Sequence, residues 1–278
     1  MCTPLRTAFG RTLRPLRGEV CASNDASCPP VVCDKQGRVL LVGLNRPEKR
    51  NSLNAAAARC LLEALRELDR DDSVDIAVLH GKGGSFCAGY DLAELAEDRV
   101  SDWPLCIPDT RKPTVAAVSG YAVGAGMELA LWCDLRVVEE TAVMGLFGRR
   151  FGVPLMAGGS ARLPALIGLS RALDLILTGR PVSAKEAHEI GLANRLVSCG
   201  TALGQAISLA GSIAKFPQRC VQADLGATRH ACFGGEAPSS SSSGRLHAEA
   251  VQGAKRFLSG IGRHGSFNLL HPPKAAKP

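Results

Sequence analysis

The sequence predicts an α/β fold built on buried, largely parallel strands, and three observations carry that prediction. First, DIAVLHG (75–81), TVAAVSG (114–120) and DLRVVEE (134–140) have strand length and are apolar in runs rather than in alternation. Strands covered on both faces read this way, and parallel sheets are covered on both faces. Second, segments with helical spacing separate these runs. Third, glycine-rich turns join a strand-like run to a helix start at 81–92 and at 120–135.

Taken in order, residues 1–30 read as a leader closed by Pro29-Pro30. Arg6, Arg11, Arg14 and Arg17 interleave with Leu5, Phe9, Leu13 and Leu16, and no acid precedes Glu19. This is the composition of a mitochondrial transit peptide. The alternative is a plain basic tail on a cytoplasmic protein. RVLLVGLN (38–45) is rich in strand formers, and NRPEKRNSLN (45–54) is a polar loop. Asn54 can cap a helix over 55–70, with Leu61, Leu62, Leu65 and Leu68 on one side. Beyond Gly145 the pattern turns helical. SARLPALIG, SRALDLILTG and SAKEAHEIGLA each begin with a serine suited to capping and end near a glycine. Ser183 and Glu186 have capping-box spacing. Another amphipathic helix is predicted over 201–217. Five consecutive serines among Gly and Pro mark a flexible loop, so the organisation is a core over 31–230, a serine-rich loop over 231–245, a helix over 246–265 and a disordered tail over 266–278.

The composition narrows the function. Hydrophobic residues make up 46% and charged residues 21%, which is globular. The net charge of +7 suits an anionic partner. The basic residues are dispersed and aromatics are only 4%, too few for nucleic-acid stacking platforms. No apolar run reaches the roughly 20 residues of a membrane span. The 11 cysteines contain no C-x-x-C pair, so zinc or dithiol chemistry has no support, and reduced thiols are expected. No metal site is indicated.

Within GYAVGAGMELALWCDL (120–135) one carboxylate, Glu128, follows three glycines and sits at the start of an otherwise apolar helix. GKGGSFCAGYDL (81–92) shares the order of strand, glycine turn and helix start. N–H groups at a helix start carry the positive end of its dipole. Two such cradles facing each other could hold one developing negative oxygen. Tight helix-on-strand packing explains the glycines equally well. Dinucleotide binding does not, because Gly120, Gly124 and Gly126 depart from G-x-G-x-x-G and no G-K-[ST] loop occurs.

NRPEKRNSLN, FCAGYDL, GYAVGAGMELALWCDL and FGVPLMAGGSARLPALIG, in this order and at this separation, resemble the enoyl-CoA hydratase/isomerase, or crotonase, family over about residues 30–215. The resemblance implies the crotonase (ClpP-like) fold of repeated β-β-α units with a C-terminal helical region. It implies a homotrimer or homohexamer, and an acyl-CoA thioester as substrate with no further cofactor. It assigns the oxyanion hole to the backbone N–H groups of Tyr90 and Ala125, and the adenine contact to the Ala88 carbonyl. Lys49 and Arg50 fall in the loop that approaches the CoA phosphates; otherwise they are solvated charges. Phe257 matches an aromatic that covers a neighbouring subunit's CoA; otherwise it is core.

Glu128 matches one of two glutamates that activate water in family hydratases. The second position is Gly148, and no Asp or Glu occurs from 142 to 165. A deeper acid position is Ala157. The resemblance therefore implies enoyl-CoA hydration by Glu128 alone, in fatty or branched acyl-CoA metabolism, with a catalytically impaired acyl-CoA-binding pseudoenzyme as the alternative. Asp91 is expected to cap a helix, His80 to be structural, Cys87 to be a small buried apolar group, and Arg149 and Arg150 either to meet a carboxylated acyl group or to be surface charges.

Overall fold

A computed structural model describes residues 29–96 and 107–234. Most of the leader, most of the serine-rich loop, the C-terminal helix with Phe257, and the tail lie outside these residues.

The predicted apolar runs form the centre of a six-stranded sheet ordered β1-β2-β3-β4-β6-β9. Its members are β1 (Val31–Gln36), β2 (Val39–Leu44), β3 (Ile76–Gly81), β4 (Thr114–Val118), β6 (Leu135–Glu139) and β9 (Arg195–Val197). β1 pairs antiparallel with β2, and every other pairing in this sheet is parallel. A smaller sheet, β5-β7-β8, holds Tyr121–Val123, Val143–Gly145 and Val182–Ser183.

The two faces of the large sheet explain why its strands lack alternation. Val42, Ala77, Leu79, Ala116, Val118 and Val138 face the main core, with the helices α1 (Ala55–Arg70) and α3 (Ala125–Trp132). Val39, Leu41, Ile76, Val78, Val115 and Val137 face the opposite side, where α7 (Ala202–Ile213) lies. That helix meets the sheet through Ala202, Ala206 and Ala210, spaced by four so that one row of small side chains lets it pack closely.

α1 begins as its sequence predicts: the Asn54 side chain accepts the Ala57 N–H at 2.9 Å. Its first turn has no acid of its own, and Glu94 of α2 (Leu92–Ala96) supplies one by accepting the Ala55 N–H at 2.7 Å. α6 (Ala184–Glu189) is capped by Ser183, which accepts the Glu186 N–H at 3.2 Å. The reciprocal half of the capping box is diverted: Arg180 donates to the Glu186 carboxylate at 2.7 Å.

The serines expected to cap α4 (Gly159–Ile167) and α5 (Leu169–Thr178) do not; Ser160 and Ser170 lie inside the helices, and the caps are Gly158 and Gly168. At α4 the reason is tertiary, as shown below. α8 (Gln218–Phe233) has no counterpart in the sequence reading and takes in Cys232 and Phe233, which were assigned to a loop. Its mean pattern is weakly amphipathic, and it docks through Arg229, which pairs with Asp134 at 2.6 Å. Cys87 and Cys133 are buried thiols, whereas Cys60, on the buried side of α1, is disulfide-bonded against the expectation of reduced thiols throughout.

Candidate active site

The first cradle follows β3. Fully buried Phe86 and Cys87 pin the loop, and Cys87 bridges β5: its N–H donates to Tyr121 at 2.8 Å and its carbonyl accepts from Val123 at 3.0 Å. Two residues on, the Leu53 N–H donates to the Gly89 carbonyl at 2.7 Å, and the Asp91 N–H donates to the Leu53 carbonyl at 2.9 Å. An extended chain alternates the direction of its polar groups. With Gly89 C=O and Asp91 N–H both on Leu53, the Tyr90 N–H is directed to the other side, where α3 begins.

The second cradle is that helix start. Gly124 caps α3 with φ +56°, and its N–H donates to the Gly145 carbonyl at 2.8 Å. Ala125 is the first helical residue, a position whose N–H has no acceptor inside the helix. The two cradles touch. A Cβ on Gly126 would stand 2.1 Å from the Cys87 carbonyl oxygen, and one on Gly89 would stand 2.9 Å from the Val123 oxygen and 3.4 Å from the Ala125 nitrogen. Only glycine permits this approach, so the glycines serve close packing and the cradle together.

All eight residues of α3 are buried, which makes it a core helix and leaves Glu128 at 1% exposure. A carboxylate in such a place must find donors. It finds them at the start of α4: Oε1 accepts from Ala157 at 2.9 Å and Gly159 at 3.0 Å, and Oε2 from Met156 at 3.4 Å. Glu128 thus replaces the serine cap of α4. A Cβ on Gly159 would fall 2.8 Å from the Glu128 Cγ, so glycine is needed there too. Burial pushes the Glu128 carboxyl above its ordinary range, and the three N–H donors and the Arg162 guanidinium pull part of the way back.

The loop over 45–54 braces the first cradle through a residue that sequence patterning did not single out. Asn51 is 1% exposed with φ +58°. Its Oδ1 accepts the Arg46 N–H at 2.8 Å, and its Nδ2 donates to the carbonyls of Lys82 at 2.8 Å and Ser85 at 2.6 Å. Asn51→Ala is expected to destabilise the protein by roughly 3 kcal/mol, since it strands buried partners and leaves alanine in a left-handed conformation. Chemical denaturation measures this directly. Lys49 and Arg50 are exposed on the same loop. The Arg50 carbonyl accepts the Ala88 N–H at 3.0 Å, and its guanidinium lies 5.2 Å from the centre of the Tyr121 ring. Asp91 caps α2 weakly, through Ala93 at 3.3 Å, and also pairs with Arg46 at 3.0 Å. Burial alone would raise the Asp91 carboxyl, but the bond and charge of Arg46 hold it below its ordinary range.

Gly148 lies in a 3-10 helix over Phe147–Phe151, on the cavity wall with Glu128. A Cβ there would stand 2.8 Å from the Val153 carbonyl oxygen, so a larger residue requires the backbone to shift. Arg149 and Arg150 point away from the cavity. Arg149 donates to the Ile176 carbonyl, and Arg150 donates to the Gly179 carbonyl at 2.8 Å, so both satisfy the C-terminal end of α5. Arg150 also lies 4.4 Å from the centre of the Phe147 ring.

A cavity of about 80 Å³ unites these parts, lined by Ala88, Tyr90, Ala125, Glu128, Phe147 and Leu155, among others. The cavity brings the Tyr90 turn, the start of α3 and the Glu128 carboxylate onto one wall with Val123, Val153 and Leu155. His80 packs beside Gly43, and burial lowers its basicity; the Cys87 thiol is pushed up to about 12 by burial. Neither side chain lines the cavity that holds Glu128. Among the described residues no three His, Cys, Asp or Glu side chains converge as metal ligands, and no helix is long and apolar enough to cross a membrane.

Comparison with known proteins bears on the family and the fold. The family profile described as enoyl-CoA hydratase/isomerase matches residues 34–232. The 2,3-dehydroadipyl-CoA hydratase of Escherichia coli (strain K12) is 37% identical over 210 residues, covering 72% of this chain and 81% of that protein. The human protein named enoyl-CoA hydratase domain-containing protein 2, mitochondrial, is 38% identical over 205 residues, covering 68% of this chain and 70% of its own. A crystal structure of enoyl-CoA hydratase from Mycobacterium tuberculosis H37Rv superposes with a TM-score of 0.73 at 35% identity, covering 83% of this chain and 96% of that one. The crotonase-type α/β architecture predicted from the sequence is therefore present.

Proposed function

The chain belongs to the enoyl-CoA hydratase/isomerase family, and from that premise we propose that it hydrates 2-enoyl-CoA thioesters with Glu128 as its single catalytic carboxylate. The observation that carries this reading is that Glu128 shares one cavity with Tyr90 and Ala125, and that among the described residues its Oε2 has a single long hydrogen bond, at 3.4 Å. In the proposed reaction Oε2 takes a proton from water as the water oxygen bonds to C3 of the enoyl group. The electrons of the double bond move through C2 onto the thioester oxygen, where the Tyr90 and Ala125 N–H groups hold the negative charge. Glu128 returns the proton to C2 and is a carboxylate again. Each N–H donor is worth roughly two to three powers of ten in rate. A raised carboxyl pKa brings Glu128 nearer the operating pH, which favours an acid–base shuttle.

Ala88, Lys49 and Arg50 are placed by the same reading along the CoA, which arrives with the substrate, so no separate cofactor is needed. The acyl group is proposed to be uncharged. Among the described residues that line the cavity, Glu128 is the only acid or base besides the Tyr90 phenol, and both nearby arginines are committed to α5. A homotrimer or homohexamer is supported by Leu169, Leu173 and Leu177, which stand 64%, 40% and 61% exposed on one side of α5. A mitochondrial location is supported by the composition of residues 1–30; the bacterial and human relatives are about equally similar.

The test is mass spectrometry of products from a panel of 2-enoyl, 3-enoyl, saturated and carboxylated acyl-CoAs. The expected result is a gain of one water on uncharged 2-enoyl-CoA, with kcat/KM at least about tenfold lower for a carboxylated 2-enoyl-CoA, the cost of an unpaired charge in a nonpolar cavity. Equal rates on both substrates would sink the uncharged-acyl reading. A second reading, binding without turnover, is favoured by Gly148 alone. Tight CoA-thioester binding with every substrate returned unchanged would establish it.

A further inference from the structure

We propose that Arg162 is a positioning residue for the Glu128 carboxylate, acting through the backbone of residues 156–159. The inference rests on the role of Glu128 given above. α4 begins with no side-chain cap from its own N-terminal residues; a concave run of N–H groups from Met156, Ala157 and Gly159 is directed onto the Glu128 carboxylate. Such nests are anion sites. Their shape depends on the peptide in the middle, whose carbonyl must face the other way.

That carbonyl is Ala157 C=O, and the Arg162 guanidinium donates to it at 3.2 Å. Gly158, with φ +85°, makes the turn, and a Cβ there would lie 2.2 Å from Arg162 Nη1. Glycine thus leaves the space that the guanidinium fills. Arg162 is anchored on its far side by Asp109 at 3.6 Å and by the Phe233 ring at 6.0 Å.

The electrostatics point the same way. α3 carries no charge besides Glu128, and α4 carries Arg162 alone. Residues 152–158 carry none. Arg149 and Arg150 are turned to α5, and Asp91 is paired with Arg46. Among the described residues, Arg162 is therefore the cation placed to help keep Glu128 ionised. It sits one shell behind the acid and touches no substrate in this scheme.

The test is an infrared titration of the full-length protein, following the carboxylic-acid C=O band that Glu128→Gln removes. Arg162→Gln is expected to move the Glu128 midpoint to higher pH, and Arg162→Lys to move it less. The acid limb of kcat/KM should follow, with about a tenfold loss or more on that limb. Should Arg162→Gln not fold, Arg162→Lys alone serves; it keeps the charge and loses the planar fork that reaches the Ala157 carbonyl, so a smaller move of the midpoint to higher pH is expected. A midpoint unmoved in the folded variants would overturn the proposal, because a purely structural arginine would change stability and not the titration. A midpoint that responds while no substrate is hydrated would leave the positioning role standing and remove the hydratase reading.

Discussion

Glu128→Gln is expected to lower turnover by about 10²–10⁴-fold, the usual contribution of a general acid–base group, while its Tm at neutral pH equals or exceeds that of the native protein. The two halves have separate physical causes. Turnover needs a group that can accept and return a proton, and an amide cannot. Stability needs an acceptor for the N–H groups of Ala157 and Gly159, both of which bond to one oxygen. The glutamine carbonyl can take that place. The native carboxyl, moreover, has a folded pKa above its unfolded value because it is buried. Its contribution to stability is fully present below the ordinary glutamate range and is lost as pH rises through the folded value. Glutamine has no such loss. The advantage of the variant should therefore shrink on acidification. Paired measurements of kcat and of Tm across acid to neutral pH decide it. A large fall in Tm at every pH would mean that Glu128 serves chiefly as the cap of α4.

Gly89→Ala is expected to cost about 10²-fold in kcat, the scale of a small misplacement of reacting groups. A Cβ at this position would lie 2.9 Å from the Val123 oxygen, closer than the contact tolerates, and 3.4 Å from the Ala125 nitrogen. Both obstacles are backbone, so relief requires moving one cradle against the other. That displaces the Tyr90 donor from the Ala125 donor, and an oxyanion hole works only when both meet one oxygen. The substitution also places alanine at φ +95°, a strain of about 1–3 kcal/mol. Gly84→Ala separates the two effects. It has φ +84° with nothing within 4 Å of a Cβ, so it should lose stability without a matching loss of kcat. Equal kcat for native and Gly89→Ala proteins would remove the two-cradle account.

Much of the fold was legible because its signals are local. The strands β2, β3, β4 and β6 are continuous apolar runs, and both faces of their sheet are covered. Asn54 announced the start of α1. The short strands β5, β7 and β8 escaped, since two or three residues hold no period. α8 escaped because none of its residues is fully buried, so no apolar stripe marks it. Arg149 and Arg150 read either as partners of a carboxylated acyl group or as surface charges, and they bond instead to the carbonyl end of α5, 27 and 29 residues away in sequence. Arg162 lay within a quoted motif, yet nothing in its neighbours told that it would face Ala157.

By itself the sequence determined the layered α/β class, the two glycine-rich turns, the presence of one carboxylate and the absence of a second from 142 to 165. These follow from residue type, spacing and steric freedom, which act within a few positions. Only the tertiary structure decided that the two turns touch, that Glu128 caps α4 and not its own helix, and that the arginines beside Gly148 leave the cavity. Those outcomes depend on which buried polar group meets which donor across the core. A carboxylate taken from water must be satisfied wherever the packed chain offers N–H groups, and that place is set by the whole fold.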